Sequence, residues 1–93
     1  MKGWYIYILK CSDGTFYTGI STNISERVKR HNSGHGAKYT RVRRPVDLIY
    51  SQKASSKSEA KKKEIGIKSL SRQNKERLIR GSGFPSAYIS KKR

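Results

Sequence analysis

Two runs of aromatic and β-branched residues near the start of the chain limit its fold more than any other feature. They are WYIYILK, from Trp4 to Lys10, and TFYTGI, over residues 15–20, and the turn signal Ser12-Asp13-Gly14 lies between them. Such residues favour strands, and Asp-Gly favours a tight reversal between two strands. The sequence therefore predicts a β-hairpin.

The length of the hairpin loop decides which tyrosines share a face of the sheet. With a two-residue turn at Asp13-Gly14, Tyr7 and Tyr17 project from opposite faces. With a three-residue loop, Ser12-Asp13-Gly14, and Gly14 in the left-handed conformation, both tyrosines lie on one face and Gly19 faces Tyr7. Gly19 would then leave open space above the sheet for a phosphate. Only the three-residue loop lets Tyr7 and Tyr17 act on one centre, and Tyr5 is assigned to strand packing.

The rest of the chain predicts helices and one more strand, from capping residues and hydrophobic patterning. These elements are a helix over Ile24–Asn32, a short helix or turn in AKYTRVRR, a strand in VDLIYSQ, a helix over residues 56 to about 70, and a last helix over residues 71 to about 80. The predicted order is β-β-α-(α)-β-α-α. We therefore expect an α/β (α+β) fold with a three-stranded, mainly antiparallel sheet flanked by helices.

Charge and length narrow the class of protein. A chain of 93 residues has room for one domain, which we expect over residues 1–81, followed by a flexible basic tail over residues 82–93. With 22 Lys and Arg against 6 Asp and Glu, the formal charge is +16, which favours a polyanionic partner, nucleic acid first. The lone Cys11 excludes an intrachain disulfide, and the first residues are too short an apolar stretch for a signal peptide or membrane span. We expect a soluble, cytoplasmic monomer that does not associate with membranes.

Polar residues break the hydrophobic pattern of two predicted helices. In the first helix, Ile24 and Val28 form an apolar stripe whose continuation falls on Arg27 and His31. Ordinary explanations are that Arg27 extends its methylenes along the core edge and that His31 is a hydrogen-bonded residue at the helix end.

The longer helix shows the same feature, because Glu64 falls on the stripe defined by Ala60 and Ile67. A buried carboxylate needs a cation, a metal or water beside it. The ordinary explanation is a salt bridge with Arg27 or with a lysine among residues 61–63. Gly66, in the middle of this helix, either allows a close approach or has no role.

Together these residues resemble the GIY-YIG nuclease superfamily, and more closely its small single-domain bacterial members, akin to the nuclease domain of structure-specific endonucleases. The similarity covers residues 4 to about 80. The chain departs from the name-giving motifs, with YIY at Tyr5 to Tyr7 and YTG at Tyr17 to Gly19. In a competing alignment GWY, at residues 3–5, supplies the first motif, but Tyr7 has the spacing to Tyr17 that the family shows. The residues that carry the resemblance are Tyr7, Tyr17, Gly19, Arg27, His31 and Glu64.

The resemblance implies hydrolysis of a nucleic-acid phosphodiester with one divalent metal ion, Mg²⁺ or Mn²⁺. Glu64 would hold the metal, with water completing its oxygen shell. Arg27 would stabilise charge on the scissile phosphate. Tyr7 would take a proton from the attacking water, and Tyr17 would position water or phosphate. His31 would orient Tyr7 or contact phosphate.

Tyrosine ordinarily has a pKa of about 10, so Tyr7 needs nearby positive charge or a metal-bound water to act as a base near neutral pH. Arg27, His31 and the metal are the available sources.

A basic segment after the first helix is the candidate nucleic-acid contact. It offers Tyr39 as a stacking surface among four cations, and its ordinary explanation is a solvated basic loop. The cations are Lys38, Arg41, Arg43 and Arg44.

Three functions compete. The first is a DNA endonuclease of the repair or recombination type, with a partner protein supplying specificity. The second is a catalytically silent nucleic-acid-binding module on the same fold. The third is a ribosome-associated basic protein, which would not explain Glu64 and Arg27 on inward faces.

Overall fold

A three-stranded antiparallel sheet forms the centre of the structure, a computed structural model that describes residues 3–82. Its strands are β1 (Trp4–Lys10), β2 (Phe16–Ser21) and β3 (Asp47–Ala54), in the order β2-β1-β3. Both pairings with the central strand are antiparallel. The strand predicted in VDLIYSQ continues two residues further, to Ala54.

Four helices follow the strands within residues 3–82. They are α1 (Ile24–Asn32), α2 (Lys38–Arg41), α3 (Lys57–Lys68) and α4 (Arg72–Gly81). The segment predicted as a short helix or turn is α2, a single turn of helix. The predicted α+β class and element order are confirmed.

The hairpin loop has three residues. Tyr17 pairs with Leu9 and Gly19 pairs with Tyr7, which is the register of the longer loop. Gly14 has φ of 86°, a left-handed conformation that glycine adopts without strain. The carboxylate of Asp13 closes the loop by accepting hydrogen bonds from the backbone N–H and the hydroxyl of Thr15, at 3.1 and 2.6 Å. The prediction that places both tyrosines on one face is confirmed.

The two faces of the sheet carry separate hydrophobic clusters, because successive strand residues point to opposite faces. On one face, Ile6 and Ile8 of the central strand pack with Ala60 and Ile67 of α3 and with Ile79 of α4.

The other face packs against α1. There Tyr7, Leu9 and Cys11 form a cluster against which Ile24 and Val28 pack. Polar residues interrupt the hydrophobic pattern of α1 and α3, and these two helices pack on opposite faces of the sheet.

Side-chain caps begin three helices where the sequence predicts them. Asn23 accepts from the N–H of Glu26 at 3.2 Å, and Ser56 and Ser71 cap α3 and α4 in the same way. In a full capping box, the glutamate three residues later would accept from the N–H of the capping residue itself, and neither Glu26 nor Glu59 does so. The backbone N–H of Asn23 donates to Ser21 Oγ at 2.9 Å, and the Glu59 carboxylate accepts from Ser55.

The predicted tail begins at Ser82, the last described residue, and its remainder lies outside the described residues. Across residues 3–82, no helix has the length and apolar content needed to cross a lipid bilayer.

Candidate active site

A buried chain of hydrogen bonds links β1, α1 and α2. The Tyr7 hydroxyl lies 3.0 Å from Nε2 of His31, and Nδ1 of the same imidazole lies 2.8 Å from the Thr40 hydroxyl. The Thr40 hydroxyl donates to the carbonyl of Ala37 at 3.0 Å. Tyr7 and His31 are each 1% exposed and Thr40 is fully buried.

These hydrogen bonds determine which nitrogen of His31 carries the proton. The Thr40 hydroxyl has one proton, which it gives to the Ala37 carbonyl, so its oxygen accepts from His31 Nδ1–H. Nε2 of the neutral imidazole then has a free lone pair and accepts from the Tyr7 hydroxyl. His31 is therefore placed to receive the proton of Tyr7.

Burial and charge act on both groups. Burial lowers the pKa of His31 below its ordinary value, and the positive charge of Arg27 lowers it further, which favours the neutral imidazole. Burial raises the pKa of Tyr7, a hydrogen bond and the charge of Arg27 oppose that rise, and the charges of Tyr17 and Glu64 add to it. Arg27, one of the sources of positive charge named from the sequence, therefore lowers the pKa of Tyr7 as expected, but desolvation outweighs it.

Two glycines shape the pocket around these rings. A Cβ at Gly19 would lie 2.6 Å from the Tyr7 hydroxyl and 2.8 Å from its ring, so the space above Gly19 is filled by Tyr7 and is not open to a phosphate. That expectation is wrong. A Cβ at Gly36 would lie 2.8 Å from the backbone Cα of His31 and would overlap its imidazole. Gly34, two residues earlier, has φ of 89° and follows the end of α1.

Arg27 lies beside the buried hydroxyl of Tyr7. It is exposed to solvent on α1, one turn before His31, and its guanidinium acts on both Tyr7 and His31. The two polar residues predicted on the apolar stripe of α1 therefore differ in burial, because His31 is inside the protein and Arg27 is at its surface. A solvent-exposed guanidinium beside a buried hydroxyl is suited to receive a phosphate.

Tyr17 lies beside the same imidazole. Its ring centre is 5.2 Å from that of His31, edge to face, and 6.1 Å from that of Tyr39, to which it is nearly parallel. The guanidinium of Arg43 also lies over the Tyr39 ring, 3.9 Å from the ring centre. Tyr39 is nevertheless 37% exposed, so part of its surface is open to solvent.

Glu64 reaches the site from α3, on the other face of the sheet. Its side chain is 17% exposed, and its charge is the smallest of the influences that raise the pKa of Tyr7. Its carboxylate lies 3.3 Å from the ammonium of Lys68, one turn further along α3. The ion pair expected with Arg27 or with residues 61–63 is therefore formed with Lys68.

The donors around Glu64 suit only a metal held by one carboxylate. Within the described part of the chain, no three His, Cys, Asp or Glu side chains come together as a metal site. A single, mostly buried carboxylate with water and phosphate oxygens is compatible with Mg²⁺, which keeps several waters and binds through one or two carboxylates. Glu64 fits that form of site.

Two arginines of the basic segment, Arg43 and Arg44, are hydrogen-bonded to other parts of the protein. Arg43 donates to the Asp13 carboxylate at 3.0 Å and to the Tyr39 carbonyl at 2.9 Å, which ties the hairpin loop to α2. Arg44 donates to the carbonyls of Arg41 and Asn32. The side chains of Lys38 and Arg41 are exposed, and Arg41 lines a concavity of about 700 Å³ with Asn32, Val42, Arg44 and Pro45.

Three features of the site were not predicted from the sequence. Thr40 and Gly36 support His31 from the loop and the short helix that follow α1, and no hydrophobic or capping pattern singled them out. Lys68 and Lys75 line a groove of about 300 Å³ together with Tyr17. Helical spacing could have shown that Lys68 lies one turn after Glu64.

Comparison with known proteins agrees with this architecture. A family model described as the GIY-YIG catalytic domain matches residues 3–77. A UPF0213 protein of Staphylococcus aureus is 52% identical over 80 residues, which are 86% of this chain and 98% of that protein.

Two solved structures share the fold. The solution NMR structure of a UPF0213 protein from Bacillus halodurans is 44% identical, has a TM-score of 0.60, and is matched over 97% of this chain and 96% of that one. A solution NMR structure of a protein from E. faecalis is 46% identical, has a TM-score of 0.58, and covers 84% of each chain.

Proposed function

The chain belongs to the family of GIY-YIG catalytic domains, and from that membership we propose that it is a metal-dependent endonuclease acting on DNA phosphodiester bonds. One observation carries the proposal: the Tyr7 hydroxyl is hydrogen-bonded to a neutral His31 and lies beside the exposed guanidinium of Arg27. A proton acceptor and an anion-binding group thus adjoin the same hydroxyl. This pairing serves hydrolysis of a phosphodiester and is not needed for binding alone.

Tyr7 and His31 act together as the general base. Tyr7 takes the proton of the attacking water as it passes its own proton to Nε2 of His31, and Thr40 holds Nδ1 in the required tautomer. Because both nitrogens of His31 are engaged, we assign it to Tyr7 and not to the phosphate. The paired transfer avoids a free phenolate, which the raised pKa of Tyr7 disfavours.

Arg27 and Tyr17 bind the scissile phosphate. Arg27 contacts the Tyr7 hydroxyl while its own side chain is exposed, so turning toward a bound phosphate uncovers that hydroxyl to water. The same guanidinium stabilises the charge that grows on the phosphate oxygens. Tyr17, half-buried beside His31, positions the phosphate or the water.

Glu64 would hold one Mg²⁺ or Mn²⁺ ion. The ion would supply Lewis-acid stabilisation of the phosphate oxygens when bound. Lys68 neutralises the carboxylate in the described structure, and binding of a cation at Glu64 would release it.

The proposal includes a cellular setting. We place the protein in the cytoplasm, on nucleoid DNA, as a monomeric repair or recombination nuclease. A partner protein would supply specificity for branch or sequence.

A silent DNA-binding module is the second candidate. The near-complete burial of Tyr7 and its raised pKa favour it, because both oppose proton abstraction from water. The formal charge of +16 serves this candidate equally well.

Cleavage assays decide between the two candidates. Branched, flap and linear DNA are incubated with the protein, with Mg²⁺ or Mn²⁺ or with a chelator, and Glu64→Ala controls for contaminating nuclease. Glu76→Ala is the matched control, because Glu76 pairs with Arg72 one turn away on α4, as Glu64 pairs with Lys68 on α3. We expect metal-dependent product from wild type and Glu76→Ala and none from Glu64→Ala. Equal cleavage by Glu64→Ala would contradict the assignment of Glu64, and no product at all would favour the binding module.

A further inference from the structure

A groove beside Tyr17 contains two lysines, Lys75, which the proposed chemistry does not use, and Lys68, which binding of a cation at Glu64 would release. It has a volume of about 300 Å³, at the lower end of the range for small-ligand pockets. Side chains from both faces of the sheet line it, since Tyr17 and Tyr39 lie on the α1 side whereas the lysines come from α3 and α4. The lining residues are Phe16, Tyr17, Thr18, Tyr39, Lys68 and Lys75.

The aromatic rings of the groove already have partners within the protein. Tyr17 lies against His31 and Tyr39, and the guanidinium of Arg43 lies over the Tyr39 ring. Phe16 carries the guanidinium of Arg72, 3.9 Å from its ring centre. We therefore look to the charged groups of the groove for its contact with a nucleic acid.

The lysines, by contrast, are available to an anion. Lys68 is 55% exposed and shares its ammonium with Glu64 at 3.3 Å, a distance longer than a close charge-assisted hydrogen bond. Lys75 forms no ion pair with any residue between 3 and 82 and is half-buried at the groove. Two lysines that line one groove are suited to a phosphate.

We infer that this groove is a second phosphate-binding site, which holds the nucleic-acid strand next to the scissile phosphate through Lys68 and Lys75. The inference rests on the proposed function for the identity of the ligand. The groove admits a segment of one strand and not a duplex, because its volume is only about 300 Å³. Its contacts are to the phosphate backbone, so it accepts any base.

The test measures binding without catalysis. A fluorescent oligothymidine and an oligoadenine of equal length are titrated in the presence of a chelator at several salt concentrations. We compare wild type with Lys75→Gln, Lys68→Gln and Lys75→Arg. Lys62→Gln is the matched control, an exposed lysine of α3 that does not line the groove.

We expect Lys75→Gln and Lys68→Gln to reduce the slope of log K against log salt by about 0.7 each, the value for one lost contact to a single strand. The reduction should be equal for the two oligonucleotides, and Lys75→Arg should restore it. A wild-type slope for Lys75→Gln, an equal loss in Lys62→Gln, or a loss confined to one base would overturn the inference. Because the assay requires no cleavage, it can succeed where the proposed nuclease activity fails, and fail where that activity is found.

Discussion

The Tyr7 hydroxyl and Nε2 of His31 lie 3.0 Å apart in the protein interior, although 24 residues separate them in the chain. Thr40 orients the imidazole so that this nitrogen accepts the proton of Tyr7. The pair is buried on the α1 face of the sheet, beside the exposed Arg27. Its geometry leads to four predictions beyond the assays described above.

Tyr7→Phe should abolish most cleavage. Removing a positioned proton-transfer group costs about 10²–10⁴-fold in rate, and phenylalanine keeps the ring. Single-turnover cleavage with Mg²⁺ measures the loss, and circular dichroism checks the fold. Tyr50→Phe is the control, because Tyr50 is also buried with a raised pKa but packs on the opposite face. Equal rates for both variants would count against Tyr7 as the base.

His31 should make the protein less stable in acid. The pKa of His31 is lowered in the folded state, so the unfolded chain, with an ordinary pKa of about 6.5, binds the proton more tightly. The free energy of unfolding should be highest above pH 6.5 and should fall as the pH drops toward and through the folded-state pKa. Urea unfolding from pH 7.5 to about 4.5 measures this slope.

In His31→Gln the slope over that range should be shallower, whereas the exposed His35→Gln should resemble wild type. Cleavage should also rise with pH as His31 becomes neutral. A wild-type slope in His31→Gln would show that His31 contributes nothing to the acid sensitivity.

Arg27→Ala should lower the cleavage rate by about 10²–10³-fold with little change in stability, because Arg27 is exposed and its proposed partner is a phosphate. It should also raise the pKa of Tyr7 further, since Arg27 opposes the effect of burial. NMR titration of ring-labelled tyrosine measures that change. Arg30→Ala, another exposed arginine of α1, should leave both quantities as in wild type. Rapid cleavage by Arg27→Ala would remove Arg27 from the proposed site.

Two glycine substitutions should have opposite effects on stability. Gly36→Ala places a methyl group against the backbone of His31 and should destabilise the protein by about 1–3 kcal/mol and displace the imidazole. Gly66→Ala meets no atom within 4 Å on an exposed helix face and should stabilise by up to about 1 kcal/mol. Thermal unfolding measures both, and a stabilising Gly36→Ala would show that the backbone yields at no cost.

Local sequence was sufficient for the secondary structure because its signals act over a few residues. Asn23, Ser56 and Ser71 each begin the predicted helix, and Gly14 gives the hairpin its three-residue loop. That loop length places Tyr7 and Tyr17 on one face before any tertiary contact is considered.

The surroundings of the site residues were not predictable in the same way. Gly19 suggested open space, and the Tyr7 ring fills it. Tyr39 suggested an open stacking surface, and it packs beside Tyr17 with Arg43 over its ring, although it stays 37% exposed. In each case the position was expected, but the neighbour that decides its role lies on another element.

By itself the sequence determined the element order, the shared face of the two tyrosines and the inward positions of His31 and Glu64 on their helices. Tertiary packing alone decided that His31 accepts from Tyr7, that Arg27 lies at the surface, and that burial raises the pKa of Tyr7. The physical reason is range. Strand alternation and helix capping depend on residues a few positions apart, whereas desolvation and hydrogen bonding depend on every atom that folding brings close.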